Sequence, residues 1–230
     1  MKKITLLLFI LVAGFSVNLF ADNNGKIKRI FEGKENAKIT IITYESLTCG
    51  HCADFHKNVY PELKKEFIDK GLVKIEFRHF PLDIGALNAS KIAQCNNDGK
   101  SDLIHILFSN QKKWTKGTTI EEINENLKNL LKDKNISVDF EKCLANKKIE
   151  DYILNDRIEG VKKFKVNATP TIIINDKKFD KTLNYKILKD RIEGVKKFKV
   201  NATPTIIIND KKFDKTLNYK NLKKYLEKLI

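Results

Sequence analysis

The sequence predicts an α/β domain in which a βαβ unit carries a cysteine pair, a helical module follows it, and a tandem duplication lies near the C-terminus. Three observations predict it. First, Lys38-Ile39-Thr40-Ile41-Ile42-Thr43-Tyr44 is rich in β-branched and aromatic residues, as a buried strand is. It leads into Thr48-Cys49-Gly50-His51-Cys52, after which Ala53, Phe55, Val59 and Leu63 recur at near-helical spacing. Second, Leu72-Val73-Lys74-Ile75-Glu76-Phe77-Arg78-His79-Phe80 alternates apolar and charged residues. A strand, a crossover helix and a second strand make parallel neighbours. Third, residues 153–186 recur as residues 187–220, differing only where Asn155 becomes Lys189.

The chain opens Met1-Lys2-Lys3, continues with an apolar run from Ile4 to Phe20, and then reads Ala21-Asp22. A basic start, an apolar middle and a small residue before a polar segment describe a secretory signal peptide cut after Ala21. An uncleaved anchor is the alternative, for a run slightly short of a membrane span. Removal of residues 1–21 leaves 209 of the 230 residues, here read as one domain over 22–230. The formal charge of +15 falls to +13 with Lys2 and Lys3 gone. The lysines are scattered in pairs on amphipathic segments, without aromatic interleaving or a nucleic-acid motif, so they read as solvated surface and not as a nucleic-acid site.

Residues 22–36 read as a polar leader, with Gly33 and Asn36 as breakers. Within the first helix, Pro61 kinks or restarts the chain. From about residue 84 to 154 the pattern is helical. Thr119 and Glu122 form a capping box ahead of a stripe of Ile120, Ile123, Leu127, Leu130 and Leu131. Trp114 and His105 fall in this module and read as core residues with their hydrogen bonds satisfied. Each copy of the repeat then holds a helix-like Arg157–Phe164, a strand-like Val166–Ile174, a turn at Asn175-Asp176 and a further strand near 178–183. Two copies are too few for a solenoid. They read as an in-frame duplication inside one domain, and only one copy can occupy the native place in a single sheet. The other would leave a β-prone Ile-Ile-Ile segment exposed.

A Cys-x-x-Cys at a helix N-terminus puts Cys49 where unpaired backbone N–H groups and the helix dipole stabilise a thiolate. The two-residue spacer of Gly50 and His51 lets Cys52 reach back and close a disulfide, and a protonated His51 adds positive charge beside the sulfur. Favouring the thiolate stabilises the reduced form and makes the disulfide a better oxidant. A zinc knuckle would need a second Cys-x-x-Cys, but Cys95 and Cys143 stand alone, so neither a metal nor a cofactor is expected. An inert structural bridge is the other reading of Cys49 and Cys52. Four cysteines in an exported chain suit two disulfides. Pairing Cys49 with Cys52 leaves Cys95 with Cys143, whose loop of about fifty residues is worth roughly 4 kcal/mol in the chain-entropy account; two unpaired buried thiols are the alternative.

With these elements in place the chain resembles the DsbA-like thiol–disulfide oxidoreductases of the thioredoxin superfamily. The resemblance rests on Cys49-Gly50-His51-Cys52 after a strand, Phe80-Pro81-Leu82 closing the second strand, and Ala93-Gln94-Cys95 with Gly99-Lys100 and Leu107-Phe108. Its last part is Ala168-Thr169-Pro170-Thr171, duplicated as Ala202-Thr203-Pro204-Thr205. It implies a thioredoxin-like fold with a helical insertion and an exported, periplasmic enzyme. Such an enzyme oxidises cysteine pairs in newly translocated proteins and is re-oxidised by a DsbB-type membrane partner. It further implies that Cys49 attacks, that Cys52 resolves, and that Cys95–Cys143 is a second, non-catalytic disulfide. A cis Thr-Pro bond packs against the active disulfide, either Thr169-Pro170 or Thr203-Pro204, with the undisturbed upstream sequence favouring Pro170. The acid often found on the first strand beneath the buried cysteine is replaced by Thr43, and Glu45, two residues on, is the candidate substitute proton relay. A disulfide isomerase or reductase, and a non-catalytic exported binding protein, are the competing readings.

Overall fold

The computed structural model describes residues 25–180 and 183–198, together with 207, 208, 211, 212, 223, 226 and 227. The expected signal segment, residues 1–21, and the duplicate Thr203 and Pro204 lie outside the described residues. Strand β1 spans Ile30–Glu32 and β2 spans Ile39–Glu45. Helix α1 (Gly50–Asn58) breaks at Val59 and restarts as α2 (Tyr60–Leu63) with Pro61 in its first turn, where a missing N–H costs nothing. A π turn, Lys64–Ile68, leads to β3 (Val73–His79). Six helices follow: α3 (Ile84–Gln94), α4 (Asp102–Ser109), α5 (Gln111–Trp114), α6 (Ile120–Asp133), α7 (Phe140–Ala145) and α8 (Lys147–Phe164). The chain then returns as β4 (Thr171–Ile174) and β5 (Lys177–Lys178), and α9 (Tyr185–Phe198) closes the domain.

The five strands form one sheet in the order β1-β3-β2-β4-β5. β2 and β3 are parallel, with Ile41 opposite Ile75 and Thr43 opposite Phe77, while β1 and β4 join from the two sides antiparallel. β2 sits centrally and is buried on both faces, which is why it reads as a continuous apolar run, whereas β3 alternates. Residues 22–36, read as a polar leader, contain β1, a strand that reading did not include. A three-residue edge strand has too few residues to show a period, and only pairing with β3 makes it one. Thr119 and Glu122 make both bonds of the capping box at α6. The buried Trp114 donates its indole N–H to the Leu107 carbonyl at 2.9 Å.

The helical run continues to Phe164, ten residues beyond the expected end of the module, because Arg157–Phe164 prolongs α8 without a break. α8 ends on Lys165 in the left-handed conformation, φ 54°. Asn175 and Asp176, at φ 45° and 62°, make the tight turn between β4 and β5 that two positive φ values permit. β5 is shorter than expected, two residues instead of a strand over 178–183.

The first copy of the repeat therefore supplies β4 to the sheet, and the start of the second copy supplies α9. Ile153–Phe164 and Ile187–Phe198 are the same twelve residues apart from Asn155 and Lys189, yet they bury different faces. In α8 the inward residues are Ile153, Asp156, Gly160 and Phe164, and Ile158 is 47% exposed. In α9 the inward residues are Leu188 and Ile192, the counterpart of Ile158, both fully buried. Lys189 pairs with Glu66 of the π turn at 2.8 Å, so the one difference between the copies makes an ion pair in the second place. Beyond α9, Ile207–Ile208 (β6) and Lys211–Lys212 (β7) pair with each other in a separate antiparallel ribbon.

Candidate active site

Cys49 is the N-cap of α1, in extended conformation, at the point where β2 hands over to the helix. Two side chains from the helical side of the fold hold this loop. Buried Gln111 donates its amide to the carbonyls of Leu47 and Cys49 at 2.8 and 3.0 Å. Asp83, which caps α3, accepts the Thr48 hydroxyl at 2.6 Å. Neither anchor was visible in the sequence, because a glutamine and an aspartate more than thirty residues away carry no local signature of the loop they hold.

Cys49 is half-buried, Cys52 is fully buried, and Gly50 and His51 stand in solvent. Both sulfurs are free thiols. The environments drive them apart. Cys49 is lowered to about 5, chiefly because the Cys52 thiol donates to its sulfur and outweighs the cost of partial burial; Thr169 and the backbone N–H groups of Cys52 and His51 add to it. Burial pushes the Cys52 thiol far up, and the proton it shares with Cys49 and the charge of Glu45 push in the same direction. One sulfur is thus a thiolate at neutral pH and its neighbour a thiol. His51 contributes its backbone N–H to this balance.

The Thr169-Pro170 peptide is cis and faces the pair. As a thiol, Cys49 donates to the Thr169 carbonyl at 3.3 Å. The buried Thr169 hydroxyl, which has no hydrogen-bond partner among the described residues, also favours the thiolate form of Cys49. Cys95 and Cys143 are joined in a disulfide that ties α3 to α7. Thr43 is buried and donates its hydroxyl to the Glu76 carbonyl at 3.3 Å, so it holds β2 to β3 in place of an acid. Glu45 is 5% exposed; one carboxylate oxygen meets His56 at 2.9 Å and the other has no hydrogen-bond partner among the described residues.

Because the Cys49 shift is downward, the sign of its pH dependence follows directly. The thiolate is present above pH about 5; the stability it lends the reduced protein is complete above the ordinary thiol range, declines as pH falls below it and is lost as pH falls through about 5. Thiolate absorbance at 240 nm in the reduced protein is therefore expected to titrate with a midpoint near 5. A midpoint near the ordinary thiol value would show that Cys49 is not stabilised.

A Cys-x-x-Cys at a helix N-terminus, set against a cis Thr-Pro at the start of β4 in a mixed sheet with a helical insertion, defines a dithiol protein of thioredoxin type. The family model described as Thioredoxin matches residues 25–194 and again residues 186–228. Among solved structures, alpha-DsbA1 of Wolbachia pipientis superposes with a TM-score of 0.64 at 30% identity, over 72% of this chain and 89% of that one. Oxidised BdbD of Bacillus subtilis superposes with a TM-score of 0.59 at 25% identity, over 72% and 91%. A protein-disulfide oxidoreductase of Rickettsia bellii is 29% identical over 166 residues, 71% of this chain and 62% of that protein. This chain thus spans about three fifths of the Rickettsia relative's length. The chain belongs to the thioredoxin family and, within it, to the DsbA-like thiol–disulfide oxidoreductases.

Proposed function

We propose that this chain is a protein-disulfide oxidoreductase of the periplasm that introduces disulfides into exported proteins through Cys49 and Cys52. A substrate thiolate attacks Cys49 Sγ of the oxidised pair, and Cys52 leaves. The second substrate thiolate then attacks the mixed disulfide and releases Cys49 as a thiolate, so the substrate loses two electrons and the enzyme gains them. The observation that carries this reading is the split pair: a half-exposed sulfur lowered to about 5 beside a buried one held as a thiol. A good leaving thiolate at Cys49 makes the last step downhill and the disulfide oxidising. Thr169 and Pro170 form the ledge against which an extended substrate lies, with Thr169 offering its backbone groups. Residues 1–21 act as the export signal, and a DsbB-type membrane protein restores the disulfide. No helix among the described residues is long and apolar enough to cross a membrane.

Equilibration of the full chain against glutathione buffers tests the reading. The expected potential lies between about −120 and −180 mV, and a value below about −270 mV would mark a reductase or an inert bridge. The pH dependence carries a second signature. Between pH 5 and the raised Cys52 value, reduction takes up two electrons and one proton, so the potential falls by about 30 mV per pH unit. Below pH 5 it falls by about 60 mV per unit as Cys49 also protonates.

A further inference from the structure

Beneath Cys52 a continuous chain of hydrogen bonds leads away from the reacting sulfurs. Glu45 Oε2 meets His56 Nε2 at 2.9 Å, and His56 Nδ1 meets His105 Nδ1 at 3.1 Å. His105 Nε2 reaches Glu32 Oε1 at 2.6 Å. His56 lies one helical turn along α1 from Cys52, and the charge of the Glu45 it holds is among the forces that raise that thiol. At the far end Glu32 also accepts from Tyr60 and Ser101, each at 2.6 Å, and pairs with Lys64 at 3.2 Å. Glu32, Tyr60, Lys64, Ser101 and His105 line a cavity of ≈ 960 Å³ that Cys49 does not line. Packing fixes the two imidazoles: His56 stacks on Phe108 at 4.1 Å and His105 on Tyr60 at 4.5 Å.

A proton count shows what this chain holds. Each of the three bonds needs one proton between its heavy atoms. Two neutral imidazoles supply two, and a carboxylate supplies none. The third is an extra proton, residing on a carboxyl group or making one ring an imidazolium. Burial alone would raise Glu32, but the bonds from His105, Ser101 and Tyr60 outweigh it and hold that carboxyl well below the usual range. Glu32 is thus an acceptor, His105 Nε2 carries hydrogen, and the extra proton is shared among Glu45, His56 and His105. Further charged or titratable groups along this path are His79, opposite Glu45 across β2 and β3, Asp69 and Asp102 near Tyr60, and Arg29, Glu35, Asp98 and Lys100 around the cavity.

We infer that the proton Cys52 exchanges during thiol–disulfide transfer travels through Glu45, His56, His105 and Glu32 to this cavity, by a route separate from the substrate face. When substrate attacks Cys49, the S–S bond breaks and Cys52 leaves as a thiolate inside the protein. The Glu45 end of the chain gives it a proton, His56 passes one on to Glu45, His105 passes one to His56, and the cavity restores the last through Glu32. On re-oxidation Cys52 attacks the new mixed disulfide and its proton leaves by the same path. Imidazole suits this duty because one ring nitrogen can take a proton while the other releases one. His56 and His105 are relay groups and touch no substrate.

The inference rests on the exchange reading of Cys49 and Cys52, and the test separates the two. Oxidised full-length protein is mixed with a single-cysteine peptide, and mixed-disulfide formation is followed by rapid quench in mixtures of H₂O and D₂O. The wild type is expected to slow with a curved dependence on deuterium fraction, since several protons move together. His105→Gln can still accept from His56 and donate to Glu32, but an amide cannot pass a proton on. It is expected to react about tenfold slower with the curvature lost and the Cys49–Cys52 potential unchanged, less than the full 10²–10⁴ of a directly acting acid because water offers a bypass. An unchanged rate and curvature in folded His105→Gln overturn the relay and leave the exchange reading intact. If that variant does not fold, the wild type decides: a linear dependence on deuterium fraction overturns the relay and a curved one supports it. A wild type that does not exchange at all overturns the exchange reading instead.

Discussion

Cys49→Ser is expected to abolish thiol–disulfide exchange, and Cys52→Ser to trap it half-way. Cys49 is the half-exposed sulfur of the pair, and its thiolate, lowered to about 5, is both the nucleophile and the better leaving group. A serine oxygen in its place forms no disulfide. Cys95 and Cys143 cannot stand in, because they are bonded to each other between α3 and α7, with Cys143 buried. In Cys52→Ser the Cys49 thiolate still attacks the disulfide of an oxidised substrate and displaces one of its sulfurs as a thiolate, but nothing resolves the adduct from within the protein, so a covalent enzyme–substrate adduct accumulates. Oxidative refolding of a reduced substrate measures the first effect, and non-reducing electrophoresis the second. Full activity in Cys49→Ser would remove the catalytic role from this pair and leave the chain a binding protein of the same fold.

The second large effect is a contrast between two aspartates in near-identical local sequence. Asp156 in α8 is 2% exposed, takes both oxygens to Arg29 at 2.6 and 2.7 Å, and accepts the buried His79 N–H at 3.3 Å. Asp156→Ala strands that N–H and leaves Arg29 without its partner. Losses for breaking a buried pair run to about 3–5 kcal/mol, and because the Arg29 side chain is 28% exposed and can be rehydrated, about 3 kcal/mol is expected. Asp190, its counterpart in α9, is exposed, and Asp190→Ala is expected to cost less than about 0.5 kcal/mol. Urea unfolding with equal slopes measures both. Equal losses would mean that the two copies do not occupy the places described here.

The site was legible where chemistry and local pattern coincide. Cys49 and Cys52 announce themselves because a strand-like run ends at Tyr44, just ahead of the first cysteine, and a helical period begins at the second. The parallel pairing of β2 and β3 follows from one crossover helix between two patterned segments. Less legible were the groups that act across the fold. His105 read as a satisfied core residue, and both its ring nitrogens are indeed bonded; what they are bonded to is set by β1 and α1, distant in sequence. His56 showed only as a position inside a helix, and Glu32 fell in a segment taken for a leader. Gln111, which holds the Cys49 loop, gave no signal at all.

The repeat marks the boundary between the two kinds of information. By itself, the sequence of Ile153–Phe164 determined that those residues make a helix wherever they occur, and they do so in both α8 and α9. Which face turns inward was decided only by the tertiary structure. In α8 Tyr44 presses its ring against Gly160, where an added Cβ would lie 2.8 Å from a ring carbon, and Asp156 is drawn in by Arg29. In α9 the core takes Leu188 and Ile192 instead, although Ile158, the twin of Ile192, stands in solvent. Helix formation depends on bonds within one segment, so it repeats with the sequence. Burial depends on which sheet and helices lie alongside, and those differ between the two places.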